Sequence, residues 1–109
     1  MRAVIAEPGK EARIEEIENE LEVLQEIVGG YIEVVYPFRA EVCLIVNEEG
    51  KLMGLAPNRA MTDEAGRTVD TLCGTVIVAG VAVGGEDFRS LDEEEARWYK
   101  LLMDAKMVR

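Results

Sequence analysis

The stretch Val42-Cys43-Leu44-Ile45-Val46-Asn47-Glu48-Glu49-Gly50-Lys51-Leu52-Met53-Gly54-Leu55 decides the fold. Val42 to Asn47 is a continuous apolar run of strand length, which a strand buried on both faces requires. Glu48-Glu49-Gly50 then reads as a tight hairpin turn, with Lys51 to Leu55 returning beside the first strand at the centre of an antiparallel sheet. Upstream, Tyr31 to Tyr36 combines β-branched and aromatic residues after Gly29-Gly30 and is closed by Pro37, so it is another strand. Downstream, Leu72 to Val83 supplies a further strand with Gly80 as a candidate bulge. The segment between, Ala56 to Asp70, holds proline, glycine and many polar residues and reads as a long loop.

Arg2 to Ala6 is a short strand ended by the Pro8-Gly9 turn. Arg13 to Ile17 fits either a second short strand or an extra helical turn. The strand is preferred, because Asn19 and Glu22 have capping-box spacing and a cap at Asn19 leaves the preceding backbone non-helical. A helix then covers Glu20 to Val28 and stops at Gly29, which takes positive φ without a Cβ penalty. Ser90 and Glu93 repeat the spacing and start a C-terminal helix from Leu91 to about Lys106. Together these elements predict one α+β domain over residues 1–109. Its expected architecture is a mostly antiparallel sheet of about four to six strands with two helices packed on one face.

A chain of 109 residues supports one hydrophobic core, and 49% hydrophobic with 31% charged residues is the balance of a folded domain. Twenty-two acidic against twelve basic side chains leave a net charge of −10. Such a surface repels phosphate backbones and anionic lipid, so direct nucleic-acid or membrane binding is not expected. The longest uncharged run, Thr71 to Gly85, has fifteen residues and four glycines, short of the roughly 17–25 a spanning helix needs. Cys43 and Cys73 lie in apolar runs, where a thiol behaves as a small hydrophobe. Nothing near Met1 has the pattern of a secretory leader, and a reducing cytosol is the expected setting.

Histidine is absent, which removes the commonest general base and metal ligand. The cysteines are thirty residues apart without a CxxC pair, so neither a zinc site nor a cysteine nucleophile is expected. No EF-hand spacing, GxGxxG or P-loop occurs. The sequence therefore predicts no catalytic residues, no metal and no cofactor. Gly29-Gly30 and Gly84-Gly85 fit a helix cap and a loop turn better than an anion nest. If the first helix reached upstream to Glu11, then Glu11, Glu15, Glu18, Glu22 and Glu26 would share one side, with a carboxylate about every 5.4 Å. That is the geometry of a DNA mimic, but an ordinary solvated face explains the same residues and is preferred.

Binding without catalysis remains. Tyr31, Tyr36, Phe38, Arg39, Asn58, Arg59, Asp87, Phe88 and Arg89 fall at expected strand ends and in loops. There, aromatic faces can stack a base and guanidinium forks can hold phosphate oxygens. Asn58 and Arg59 in the Pro57-Asn58-Arg59 corner are the expected phosphate or ribose contacts, although a surface ion pair explains Arg59 equally well. Tyr31 or Tyr36 would stack the base, and Arg39 belongs to the same candidate set. Arg89 with Asp87 would close the site.

Five segments carry a family resemblance: Glu7-Pro8-Gly9-Lys10; Leu24-Gln25 with Val28-Gly29-Gly30-Tyr31-Ile32-Glu33-Val34; Asn47-Glu48-Glu49-Gly50-Lys51-Leu52; Pro57-Asn58-Arg59; and Phe88-Arg89-Ser90-Leu91. Over nearly the whole chain the sequence resembles the small phage and mobile-element family known as domain of unknown function 3846. That resemblance implies a bacterial cytoplasm and a phage or integrated element as source. It transfers no activity. In that context the expectation is an anti-defence protein that sequesters a nucleotide-derived immune signal, a cyclic ADP-ribose isomer or a cyclic dinucleotide, as a dimer or larger homo-oligomer. The alternative is an acidic DNA mimic or protein-binding inhibitor of a host nuclease or regulator.

Overall fold

The computed structural model describes residues 1–108 and contains eight strands and two helices. They are β1 (Arg2–Ala6), β2 (Arg13–Glu16), α1 (Leu21–Val28), β3 (Ile32–Val35), β4 (Val42–Asn47), β5 (Pro57–Thr62), β6 (Thr68–Cys73), β7 (Val76–Val81), β8 (Phe88–Arg89) and α2 (Glu93–Ala105). The α+β class is as expected. Six strands form one antiparallel sheet in the order β2-β1-β7-β4-β3, with β8 paired to the far end of β7, while β5 and β6 form a separate two-stranded sheet.

The apolar run Val42–Asn47 forms strand β4, buried along its whole length between β3 and β7. Its expected return strand does not exist. The Asn47 Oδ1 accepts from Glu49 N at 2.8 Å and Met53 N bonds Glu49 O at 2.8 Å, so Glu48 to Gly54 winds into successive turns. Leu52 and Met53 end up exposed rather than paired in the sheet.

Ala56 to Asp70 is likewise not a loop. Pro57–Thr62 and Thr68–Cys73 pair as a hairpin across a turn fixed by Asp63, whose Oδ1 accepts from Ala65 N and Arg67 N. Strand β5 was hidden because its Asn58 and Arg59 side chains point inward and find polar partners, which breaks the apolar alternation that marks a strand. Its other edge is covered by the chain after α2, through Ala60 N to Lys106 O and Val108 N to Asn58 O, both 2.9 Å. Gly80 is no bulge either. A Cβ there would lie 2.6 Å from Arg89 Cγ, so glycine makes room for the arginine of β8.

The two helices pack on opposite faces of the large sheet, correcting the single-face expectation. Leu24 and Val28 of α1 cluster with Ile5, Cys43, Ile45 and Ile77. Ala96, Tyr99 and Met103 of α2 cluster with Val4, Val42, Leu44 and Val78, joined by Leu72 from the small sheet. Successive residues of β1, β4 and β7 point to opposite faces and are apolar on both, so each face requires its own cover.

Both caps differ from expectation. Helix α1 starts after Glu20 with no side-chain cap, because the Asn19 Nδ2 donates to Asp87 Oδ1 at 3.2 Å and Phe88 O at 3.3 Å. Helix α2 is capped by Asp92 and Glu95, each side chain accepting from the other's backbone N–H, while Ser90 Oγ accepts from Arg2 N at 2.7 Å. Gly29 ends α1 at φ 82° as expected. Because Arg13–Glu16 is a strand, Glu11, Glu15 and Glu18 lie outside α1, and the carboxylate ladder of a long helix is not formed. Among the described residues no helix is long and apolar enough to cross a membrane.

Candidate functional site

Two places compete for the role of site, the Pro57-Asn58-Arg59 corner and a groove beside it. The corner is a polar clamp inside the protein. Asn58 and Arg59 are both 0% exposed. The Asn58 amide donates to Ala6 O at 2.7 Å and Gly74 O at 2.8 Å, and its Oδ1 accepts from Arg59 NH1 at 2.5 Å. Arg59 uses every remaining donor: Nε to Met103 O at 2.8 Å, NH1 to Glu7 O at 3.0 Å, and NH2 to Lys10 O at 2.7 Å and Asp104 Oδ1 at 3.3 Å. A guanidinium has five N–H groups, and all five are spent here. Arg59 thereby ties the Glu7–Lys10 turn, strand β5 and the C-terminal end of α2 together, where a cation also suits the helix dipole.

Neither residue therefore has a donor left for a ligand, which corrects their assignment as phosphate contacts. Burial pulls the Arg59 guanidinium below its ordinary value, against the pull of Asp104. Burial pushes the Asp104 carboxyl up, but the Ala12 N–H, Lys100 and Arg59 together hold it below its ordinary value. The clamp stays an ion pair.

Arg89 is occupied in the same way. Its guanidinium holds both carboxylate oxygens of Glu95 at 2.8 and 2.9 Å, and reaches Glu41 O and Ser90 O at 3.1 Å. That fork drives the Glu95 carboxyl down to about 2, with help from the Asp92 N–H. The unit fixes the start of α2 against β8. Asp87 accepts from Phe88 N at 2.7 Å and from Asn19, so it secures the β7–β8 turn. Neither closes the Asn58 corner.

The groove lies between α2, β5 and the Pro37–Ala40 loop, with a volume of about 390 Å³, within the range of small-molecule sites. Phe38 and Tyr99 form its aromatic floor, ring centroids 5.0 Å apart and tilted by 55°. Trp98, Leu102 and Met61 supply apolar walls, and Arg39 and Lys106 stand at the lining as cations. Arg39 pairs with Glu64, and their side chains are 88% and 78% exposed. Lys106 bonds the Thr62 hydroxyl.

Of the residues expected at the site, only Arg39 meets the groove with donors that solvent can reach. Tyr36 lines a 250 Å³ hollow next to it with Pro37, Met61 and Val69, and a 230 Å³ hollow on its other side with Asp87 and Phe88. Tyr31 is exposed and lines none of these. Trp98, Tyr99 and Leu102 fall in the apolar period of α2. Nothing in the sequence separates them from core residues, because neighbours about 100° apart on a helix both fit within an apolar stripe of that width.

Chemically, the groove offers aromatic faces beside two cations. Cys43 is buried, and burial pushes its thiol up to about 11, so it is no nucleophile at neutral pH. Among the described residues no three carboxylates or thiols converge as a metal cluster.

No curated protein and no solved structure matches the chain. One family model does, that of the domain of unknown function DUF3846, over residues 1–104. With nearly its whole length matched, the chain belongs to the DUF3846 family.

Proposed function

We propose that this protein is a non-catalytic binding protein that takes a nucleotide-derived signal into the groove between α2 and β5. The observation that carries the reading is the floor of Phe38 and Tyr99 walled by Trp98, beside the cations Arg39 and Lys106. A planar base finds aromatic faces there and an anionic group finds a cation. The Arg39–Glu64 pair is largely in solvent, where such pairs contribute little, so a phosphate can replace Glu64 at small cost. The phage setting implied by the family's resemblance makes this ligand an immune signal, a cyclic ADP-ribose isomer or cyclic dinucleotide, and the protein an anti-defence sponge in the host cytoplasm.

The test is native mass spectrometry of protein purified from bacteria running nucleotide-signalling defences. Wild type should carry a nucleotide, chemically intact on release, and Phe38→Ala should lose it. A protein that emerges empty from every such strain overturns the reading, and a hydrolysed product overturns the non-catalytic part.

A second reading keeps the acidic inhibitor of a host nuclease or regulator. It rests on the net charge of −10 and on Glu15, Glu16, Glu18, Glu20 and Glu22, all exposed along β2 and the approach to α1. Salt separates the two: binding by charge mimicry should fall steeply with ionic strength, whereas stacking in the groove should not.

A further inference from the structure

Helix α2 is apolar on both sides. Its inner side, Ala96, Tyr99 and Met103, is buried in the core. Its outer side carries Glu94, Trp98, Leu101 and Ala105, all exposed, with the Trp98 and Leu101 side chains 60% and 66% in water. An outer face is ordinarily charged or polar. Here the only tryptophan of the chain and a leucine one turn away face solvent side by side.

The stripe has a property that selects its occupant. The gaps between Glu94, Trp98, Leu101 and Ala105 are four, three and four residues, so the pattern reads the same in either direction. That is the spacing of a coiled-coil seam. Placed antiparallel on a copy of itself, with a two-fold axis between Trp98 and Leu101, each large side chain meets a large one. Trp98 lies against the partner's Leu101, and Glu94 lies opposite the partner's small Ala105. The charges match as well. Arg97, which is exposed, and Asp104 flank the stripe on one side, seven residues apart. Antiparallel pairing brings Arg97 of one copy to the partner's Asp104. A closed two-fold contact needs one self-complementary patch, and this stripe is one.

We infer that a second copy of this chain covers the outer face of α2, forming an antiparallel homodimer centred on Trp98 and Leu101. The 13-residue helix is about 20 Å long, so the seam is short and the dimer forms and dissociates with concentration. Two copies of net charge −10 repel through water, so added salt tightens the dimer by screening that repulsion. Because Trp98 also lines the groove, the partner would wall one side of it. The dimer itself does not depend on the groove having a ligand.

The experiment needs no nucleotide. Sedimentation velocity on the purified full chain, over a wide concentration range at low and high salt, should show a monomer converting to a dimer, more completely in high salt. Over the same range the emission of the single tryptophan should shift to the blue as Trp98 leaves water. Leu101→Glu and Leu101→Lys should both remain monomeric, with red-shifted emission that concentration does not move and an unchanged far-ultraviolet spectrum. Leu21→Glu, at an exposed leucine of α1, should dimerise as wild type does. A wild type that stays monomeric at the highest concentration overturns the inference. So does a dimer that both Leu101 variants retain, because its interface would then lie elsewhere.

Discussion

Arg59 and Arg39 both suggested themselves from the sequence as ligand contacts, and the structure gives them opposite situations. Arg59 is wholly buried and each of its five donors has a partner within the chain. Arg39 stands in solvent with one exposed carboxylate beside it. The same side chain is a structural bolt in one place and an available cation in the other. The difference lies in the hydrogen-bond inventory. An arginine can serve a ligand only with donors that the fold has not already used.

Removing the buried arginine should have the largest effect. Arg59→Ala leaves Asn58, Asp104 and three backbone carbonyls without their donor, and deleting one partner of a buried charge network costs about 3–5 kcal/mol. Urea denaturation should show that loss, and Arg59→Lys should recover only part of it, because an ammonium lacks the planar fork. A loss below about 1 kcal/mol would mean that the clamp does not hold the Glu7–Lys10 turn to α2.

Asn58→Asp sharpens the same point with almost no change of shape. Two carbonyls, Ala6 O and Gly74 O, receive the amide donors, and a carboxylate has none to give. Leaving both acceptors facing a negative charge should cost about 2 kcal/mol, partly offset by a stronger bond to Arg59. Stability equal to wild type would show that the amide's two donated bonds are not needed.

Acid should expose the second bolt, Arg89 with Glu95. The Glu95 carboxyl is held at about 2 against an ordinary 4.5. A value lowered by folding stabilises the native state above the unfolded value and ceases to do so as pH falls through the folded one. Stability should therefore be level above about pH 5 and decline between 4.5 and 2, by about 2 kcal/mol once partial exposure is allowed for. Glu95→Gln should be less stable at pH 7 and lose the Glu95 share of that slope, leaving what Asp104, Glu7 and Asp70 contribute. An unchanged slope would place the acid sensitivity in other carboxylates.

What the sequence revealed follows the same division. Val42–Asn47 was legible because a run of apolar residues needs no partner to be recognised as buried, and Gly29 because positive φ selects glycine; of the strand expected over Leu72 to Val83 only Val76–Val81 lies in the large sheet, since Leu72 and Cys73 end β6 of the small one. That two such strands are apolar on both faces already implied a layer on each, so the opposite placement of α1 and α2 was available from the same residues. Strand β5 was not legible, since Asn58 and Arg59 look like loop residues until the carbonyls of Ala6, Glu7, Lys10, Gly74 and Met103 are brought round them by the rest of the fold. The caps failed for a related reason. Asn19 and Ser90 have the right chemistry, but partners distant in sequence take their side chains. Phe38 and Arg39 could be named singly, yet the groove joins them to Trp98 and Lys106, far along the chain.

The smallest expected effect on stability carries the most information about function. Arg39→Ala removes one member of an ion pair in which both side chains are more than three-quarters exposed, and such pairs contribute about 0–1 kcal/mol. Its denaturation midpoint should stay within about 0.5 kcal/mol of wild type, while its capacity to retain an anionic ligand in the groove should fall by about tenfold, the worth of one charge-assisted contact. Glu64→Gln should act in the opposite direction, leaving stability alone and freeing the guanidinium for the ligand. If Arg39→Ala instead destabilises the fold as Arg59→Ala does, the two arginines are both structural and the groove loses its available cation. If stability and ligand retention are both untouched, the anion is held from the other side, by Lys106.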